Sequence, residues 1–546
     1  MSGQPCETIR GVLSMKLESD ALHFEIITGS TKPSGYIRNS YRENGAVKHQ
    51  TIAKINGLPL ATLQNMKAAF DGKAIKADEI RISEGREYGA SAMLFELAKK
   101  SGLDKLIYSR LEMWVRCVLA MILGRIIYQG SKLALSKVTK YSCLWEVCGV
   151  TSGKIDVDKH CYDAMDELFK RQDLIQKKLA NKHLRDGSVI LYDITSSYFE
   201  GELDGSELVD YGYNRDKKRG KKQIVIGLIC AKDGCPVAVE VFRGNTNDGS
   251  TVQAKMAEIK QKFGVSDFIF VGDRGMLTRK NIDDCGDIPT ITALTHAAMK
   301  RLCEQNDVQL SLFDENIVNE IILPDEPGVR YALRRNPARR EKDRQTRIGI
   351  IEKTEERLKE IAVPKRKTDE KTLAARAARV FAKYKSEKYF VWEIADMKVT
   401  YSRSTDRIVS EEKYDGLYVI RGEVSPEIMT IQEVVATYKS LINVEQAFRN
   451  LKTVQLEIRP VYHHKDDRIK SHVFLCMLAY YVLWHMNKAL DSLYQKYSEY
   501  THDYIIEVMK SLQKSKLSVG GTISDIIAEP GELQNQVLQL TIGKTV

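Results

Sequence analysis

The stretch SVILYDITSSYFE, residues 188–200, puts a carboxylic acid inside an apolar run. Short runs rich in β-branched and aromatic residues predict a strand buried on both faces. An ionised side chain in such a strand is costly unless something pairs it. One reading makes Asp193 a strand-end acid held by a neighbouring cation. The other makes it a metal ligand facing an open cleft. The apolar residues on both sides of it favour the ligand.

The segments that follow limit the topology. QIVIGLICAKDGCPVAVEVF (223–242) reads as two strands joined at a KDG turn, and TVQAKMAEIKQKFG (251–264) has helical periodicity. DFIFVGDRGM (267–276) is a short apolar strand ending at Gly272-Asp273, and IPTITAL (288–294) is a further strand. Three strands, a helix and two more strands is the opening order of an RNase H-like fold. The first and fourth strands of that sheet are neighbours, which would set Asp273 beside Asp193. Taken alone, Asp273 reads as a turn residue or helix cap. Its flanking glycines allow a tight turn, and ligands of open α/β sheets collect at strand ends. Glu200, Asp204, Asp248, Asp283 and Asp284 lie nearby. Asp248, in RGNTNDGS (243–250), reads as a loop or capping acid.

A third acid stands far downstream. YKSLINVEQAFRNLK (438–452) is expected to form one helix in which Leu441, Val444, Phe448 and Leu451 make an apolar stripe. Tyr438, Glu445, Arg449 and Lys452 share the adjoining edge, and Tyr438, Glu445 and Lys452 recur every seven residues. With the stripe on the sheet, Glu445 borders the cleft. Two aspartates and a glutamate supply oxygen ligands suited to two Mg²⁺ or Mn²⁺ ions, with Asp193 bridging and Asp273 and Glu445 each completing one. Such a pair serves in-line displacement at phosphorus. Arg449 as a fork on phosphate, Lys452 as a point charge, Tyr438 as a hydrogen-bond donor or stacking ring, and Arg274 beside Asp273 form the expected DNA contact set.

Across its 546 residues the chain has a net charge of +10, a mild pointer to a polyanionic partner. Residues 331–390 hold 19 Lys/Arg against 9 Asp/Glu, an excess equal to that of the whole chain. A charge-rich helix is usually a solvated face, but this sign bias points to a DNA-backbone contact surface. The segment YIRNSYRENGAVKHQTIAKI (36–55) carries a hairpin signal at ENG. Its basic strands read equally as a DNA contact or a solvated face. The ten cysteines form no C-x-x-C pair and read as small buried residues in a reducing compartment. The N-terminus lacks the apolar core of a signal peptide, and VFLCMLAYYVLW (473–484) is too short to span a bilayer, so a cytoplasmic, nucleoid-associated location is expected.

With these motifs in order, the chain resembles the DDE transposases of bacterial insertion sequences. The likeness is to the branch with a large insertion before the glutamate and a Tyr-Glu-Lys helix signature. LYDITSSYFEG resembles the first-aspartate motif of that branch, FVGDRGM the second, and YKSLINVEQAFRNLK its glutamate helix. RGNTND, YDGLYVI and LEIRPVYHHKDDRIKSHVFLCMLA (456–479) resemble the flanking stretches, and SYRENGAVKHQTIAKING and GRIIYQGSKLALSKV the N-terminal region. The resemblance implies a divalent-metal triad of Asp193, Asp273 and Glu445, terminal inverted repeats as substrate, and a homodimer on DNA. The branch often carries arginine where this chain has Leu441; Arg449 is the candidate substitute.

The resulting expectation is an α/β chain whose RNase H-like catalytic core is interrupted by a mixed, β-containing insertion. An α+β region, 1–182, binds DNA ends; the core runs over 183–296 and 430–490; the basic insertion spans 297–429; and 491–546 is a candidate dimerisation region. The expected activity is transposition: binding of the inverted repeats, metal-dependent cleavage, and transfer of the 3′-OH to double-stranded target DNA, with no membrane partner. Two alternatives are a nuclease of the same fold without strand transfer, and a non-catalytic DNA-binding descendant. The ordered acids argue against the second.

Overall fold

The computed structural model describes residues 22–28, 33–73, 80–83, 85–201, 203, 205–213, 215, 218, 220–284, 286–306, 318–362, 369–454, 458, 461–519 and 522–544. It opens with an antiparallel sheet of β1 (Leu22–Ile27), β2 (Ser34–Glu43) and β3 (Ala46–Asn56). The expected ENG hairpin joins the last two. Asn44 and Gly45 both have positive φ, 53° and 81°, the pair of left-handed residues that a two-residue hairpin turn requires. Helix α1 (Leu60–Phe70) covers one face of this sheet. Phe24 and Leu63 are buried between the two layers, and Gly35 leaves the space that Phe24 fills.

Two short strands follow, β4 (Ile80–Ile82) and β5 (Arg86–Glu87), then a helical block. Its centre is the helix Met113–Tyr128, buried on all sides from Val115 to Ile127 except at Arg116. That burial explains its nearly all-apolar sequence. Among the described residues no single helix is long and apolar enough to cross a membrane.

The central sheet begins with an antiparallel meander of β6 (Ser188–Tyr198), β7 (Gln223–Ala231) and β8 (Pro236–Arg243). The expected KDG turn joins β7 to β8, with Gly234 at φ 83°. The helix Val252–Glu258 then leads to β9 (Phe268–Gly272), parallel to β6, and β10 (Thr290–Ala293), parallel to β9. These five strands stand in the order β8-β7-β6-β9-β10. The first and fourth of them are thus neighbours, as the strand pattern predicts.

The segment 297–429 is more closely tied to this sheet than its sequence implies. Its strands β11 (Asn319–Ile322) and β12 (Arg330–Arg335), with a third that follows later in the chain, extend the sheet to eight strands. Between β12 and the last inserted strand stand the helices Pro337–Ala362 and Glu370–Tyr384, and the hairpin of β13 (Phe390–Ala395) and β14 (Lys398–Arg403). These have a small core of their own, including Leu358, Leu373, Phe381 and Phe390. Strand β15 (Leu417–Gly422) then inserts antiparallel between β10 and β12.

The helix expected over 438–452 is interrupted. Ile431–Lys439 and Leu441–Arg449 are separate helices, and Asn450–Val454 winds as a π turn. Ser440 is the cause. Its Oγ donates to the Thr437 carbonyl at 2.6 Å, and the Asn443 N–H reaches the Ser440 carbonyl at 2.9 Å, three residues back rather than four. Local hydroxyl bonding and a tightened turn replace the regular ladder there. The apolar stripe survives the break: Leu441, Val444, Phe448 and Leu451 are all buried, and the second helix packs on β6.

The helix Asp466–Ala489 is buried along most of its length and packs on Met113–Tyr128. The C-terminal region returns to the start of the chain: β16 (Gln513–Val519) pairs with β17 (Thr522–Ile527) and also with β4 and β5. All eight described cysteines are buried and free, as their spacing suggests.

The charge of the inserted helices is not all surface charge. Arg347 is buried and bonds Asp415 at 2.6 Å and Glu412 at 3.1 Å. Removing one partner of a buried pair strands the other charge, which costs about 3–5 kcal/mol. Arg347→Ala should therefore lower the unfolding midpoint of the inserted segment in calorimetry and expose 337–384 to protease, whereas Arg347→Met with Asp415→Leu should recover most of the loss. An unchanged melting profile for Arg347→Ala would show that the pair holds nothing together.

Candidate active site

The parallel pairing of β6 with β9 runs in register up to Tyr192 opposite Gly272. Asp193 comes next on β6, and Asp273 is the first residue past the end of β9. The two acids therefore stand side by side where β9 ends and β6 continues. Asp273 starts a tight turn: its Oδ1 accepts the Arg274 N–H at 2.7 Å, and its carbonyl accepts the N–H groups of Met276 and Leu277 at 2.9 and 3.0 Å. Gly272 admits this return, because a Cβ there would crowd the Leu277 side chain at 3.2 Å.

Asp193 keeps partial solvent access, yet the protein around it strips most of its water shell. Burial pushes its carboxyl up to about 7, from an ordinary 3.8. The negative charges of Asp273 and Glu445 push the same way, while the Ile194 N–H, donating to Oδ1 at 2.8 Å, and Arg215 oppose them. A carboxyl raised on folding takes stability from the fold as the pH climbs through that interval. Groups kept at such a cost cluster at functional sites.

Glu445 is exposed on the helix Leu441–Arg449, one residue beyond the fully buried Val444. The stripe that seats this helix on β6 thus brings Glu445 into the electrostatic field of Asp193. Half-buried Tyr438 completes the group. Burial first, and then the charge of Asp273, push its phenol up to about 12; Glu445 and Asp193 add to this and Arg274 opposes it. The hydroxyl stays protonated at neutral pH, within the electrostatic field of the three acids. Leu441, where the resembled branch often has arginine, is committed to packing and is buried.

The described part of the site has no enclosed ion cage. Among the described residues no three His, Cys, Asp or Glu side chains are close enough to hold an ion between them. The three acids share an electrostatic field but stand open. Their chemistry still fits a hard divalent cation. The donors are carboxylate oxygens, the charge is in surplus, and Mg²⁺ normally completes its shell with water and substrate phosphate.

Arg274 lines a cleft of about 690 Å³ together with Asp273 and Tyr438. The same cleft is lined by the inserted helix Pro337–Ala362, through Arg339, Asp343, Thr346 and Arg347. Arg449 is exposed beside Glu445, and Lys452 is half-buried in the π turn. Arg215, whose charge acts on Asp193, is a residue that the strand pattern does not reveal. It reaches the site from the loop before β7, its N–H bonded to Ser196 Oγ at 3.0 Å. The only available signal was the basic run RDKKRGKK in that loop. Of the competing acids, Glu200 is paired with Lys221 at 2.7 Å. Asp248 opens the turn Asp248–Thr251, Asp283 and Asp284 are exposed at the end of a short helix, and Asp204 lies outside the described residues.

Residues 184–482, more than half of the chain, match the family model described as Transposase DDE domain. No curated protein matches the sequence. The matched segment begins just before β6, contains all three acids of the cleft and ends inside the buried helix Asp466–Ala489. The chain belongs to the DDE transposase family.

Proposed function

We propose that this chain is the transposase of a bacterial insertion sequence, built on an RNase H-like core, with Asp193, Asp273 and Glu445 as its catalytic and metal-binding residues. The observation that carries the reading is the Asp193 carboxyl, driven up by burial and by the charges of Asp273 and Glu445 at once. A buried carboxyl whose ionisation is opposed by burial and by the charges of Asp273 and Glu445, and favoured by Arg215, makes a site that favours added positive charge. The strand order β8-β7-β6-β9-β10 supports the fold assignment.

In this reading the substrate is the end of the element, a terminal inverted repeat bound as double-stranded DNA, and the protein acts as a homodimer on it. Two Mg²⁺ or Mn²⁺ ions, when held by the three carboxylates, supply Lewis acidity to the attacking and leaving oxygens of an in-line displacement at phosphorus. Water attacks the phosphodiester, the P–O3′ bond breaks, and a 3′-OH is released. That 3′-OH then attacks a target phosphodiester, displacing a target 3′-OH in turn. Tyr438 donates its phenolic proton in a hydrogen bond to a phosphate oxygen. Arg449 grips phosphate as a fork, Lys452 as a point charge, and Arg274 holds the strand next to Asp273. The inserted basic helix lines the same cleft and neutralises backbone charge.

Two experiments test this. Asp193→Asn, Asp273→Asn and Glu445→Gln should each abolish Mg²⁺-dependent cleavage and joining of element-end DNA, with end binding retained in gel-shift titration. Normal cleavage by any one variant would remove that residue from the site. For the basic helix, Lys342 and Arg344 are exposed, unlike Arg347. Lys342→Glu with Arg344→Glu should flatten the slope of log K against log salt by roughly 2, since each phosphate contact contributes about 0.9. An unchanged slope would assign that charge to solvent.

A further inference from the structure

The small N-terminal sheet has one covered face and one open face. On the covered side Phe24 and Gly35 lie under α1. Strand alternation places Tyr36, Arg38, Ser40 and Arg42 of β2 on the other side, and the register sets Lys54, Thr51 and His49 of β3 opposite the first three. The bulge in β3 between its Ala53 and Thr51 pairings keeps this set on one face, with Ile52 as the extra residue. The contacts agree with that placement. Ser40 Oγ bonds the Nδ1 atoms of His49 at 2.8 Å and His23 at 3.3 Å. Arg38 and Lys54 lie over the Tyr36 ring at 5.2 and 5.4 Å. Glu25, the acid on this face, is paired with Arg38. Among the described residues, no element besides α1 makes more than a marginal contact with this sheet.

We propose that this open face enters the major groove of duplex DNA and reads base edges, so that the sheet, rather than the catalytic cleft, selects the element's ends. The inference rests on the transposase reading above and adds to it a recognition surface. Dimensions and chemistry carry it. Three strands about 4.8 Å apart make a ribbon about 10 Å across, within a groove about 12 Å wide. Same-face residues recur about every 6.8 Å, which matches two base pairs at about 3.4 Å each. The run from Tyr36 to Arg42 therefore spans about six base pairs. Arg42, next to the hairpin tip, has the donor fork suited to guanine. Ser40, Thr51 and the two histidines supply adaptable donors and acceptors at the ribbon's middle. With Glu25 neutralised by Arg38, Lys54 and Arg42 leave the face net positive. Exposed Ile27 and Val47 stand at its margins, but its centre is polar and charged, which suits base edges and phosphates rather than a lipid surface, and the major groove of an RNA duplex is too narrow to admit a sheet.

The test is selection by full-length protein, with EDTA present so that no strand is cut, from a pool of 30-base-pair duplexes with a randomised centre. The wild-type chain should enrich a defined sequence. Arg42→Ala with His49→Ala, both exposed positions, should lose preference by about fivefold or more at up to six adjacent base pairs. The remaining positions and the overall salt-dependent affinity should be kept. Arg42→Lys, which keeps the charge but not the fork, should likewise keep the affinity and lose the preference at the base pairs that Arg42 reads. Failure of the three-acid reading would appear in cleavage and leave this readout untouched. An enriched sequence identical for the wild type and the double variant, or no enriched sequence at all, would overturn the proposal.

Discussion

One parallel strand pairing determines the chemistry available to this chain. Because β6 and β9 run side by side in register as far as Tyr192 and Gly272, the residues that follow are forced together, and both are aspartates. The pairing is held by apolar side chains on both faces of both strands, including Leu191, Phe270 and Val271, which are fully buried. The fold thus makes the acids adjacent through interactions that have nothing to do with acids. What it cannot do is make an ionised Asp193 favourable there: burial first, and then the charge of Asp273, raise its carboxyl.

The third acid arrives by a different route. Glu445 is placed by a helix whose stripe packs on β6, so the same strand that carries Asp193 also seats the element that faces it. The break at Ser440 separates Tyr438 from that helix by one turn, letting the phenol sit half-buried among the acids while Glu445 stays exposed. An open arrangement of this kind suits a site completed by its substrate. A phosphate and its waters would provide the ligands that the protein withholds. The inserted helix Pro337–Ala362, tied to the sheet through β12 and β15, lines the same cleft with both cations and acids, among them Arg339 and Asp343.

Much of this was legible from local pattern, and the rest fails for identifiable reasons. Asp193 stood out because its neighbours are apolar on both sides, and Glu445 because the stripe beside it has a helical period. The hairpins at Asn44-Gly45 and Asp233-Gly234 follow from residues that accept positive φ. By contrast, the break at Ser440 leaves the hydrophobic period intact, so periodicity cannot reveal it. The pairing of β15 with β10, and of β16 with β4 and β5, joins residues more than a hundred positions apart, and no local window encodes such partners. Counting charge over 331–390 could not separate Arg347, bound to Asp415 in the interior, from its exposed neighbours. Arg215 acts on Asp193 from a polar loop whose sequence has no period at all.

The central claim is that Asp193, Asp273 and Glu445 belong to one cation site. Fe²⁺ bound in place of Mg²⁺ on the DNA complex, with ascorbate and peroxide, cuts the polypeptide where the metal sits. The account predicts three cuts from one ion site, near residues 193, 273 and 445, all suppressed together by excess Mg²⁺. Cuts confined to one of these positions, or clustered elsewhere in the chain, would contradict it.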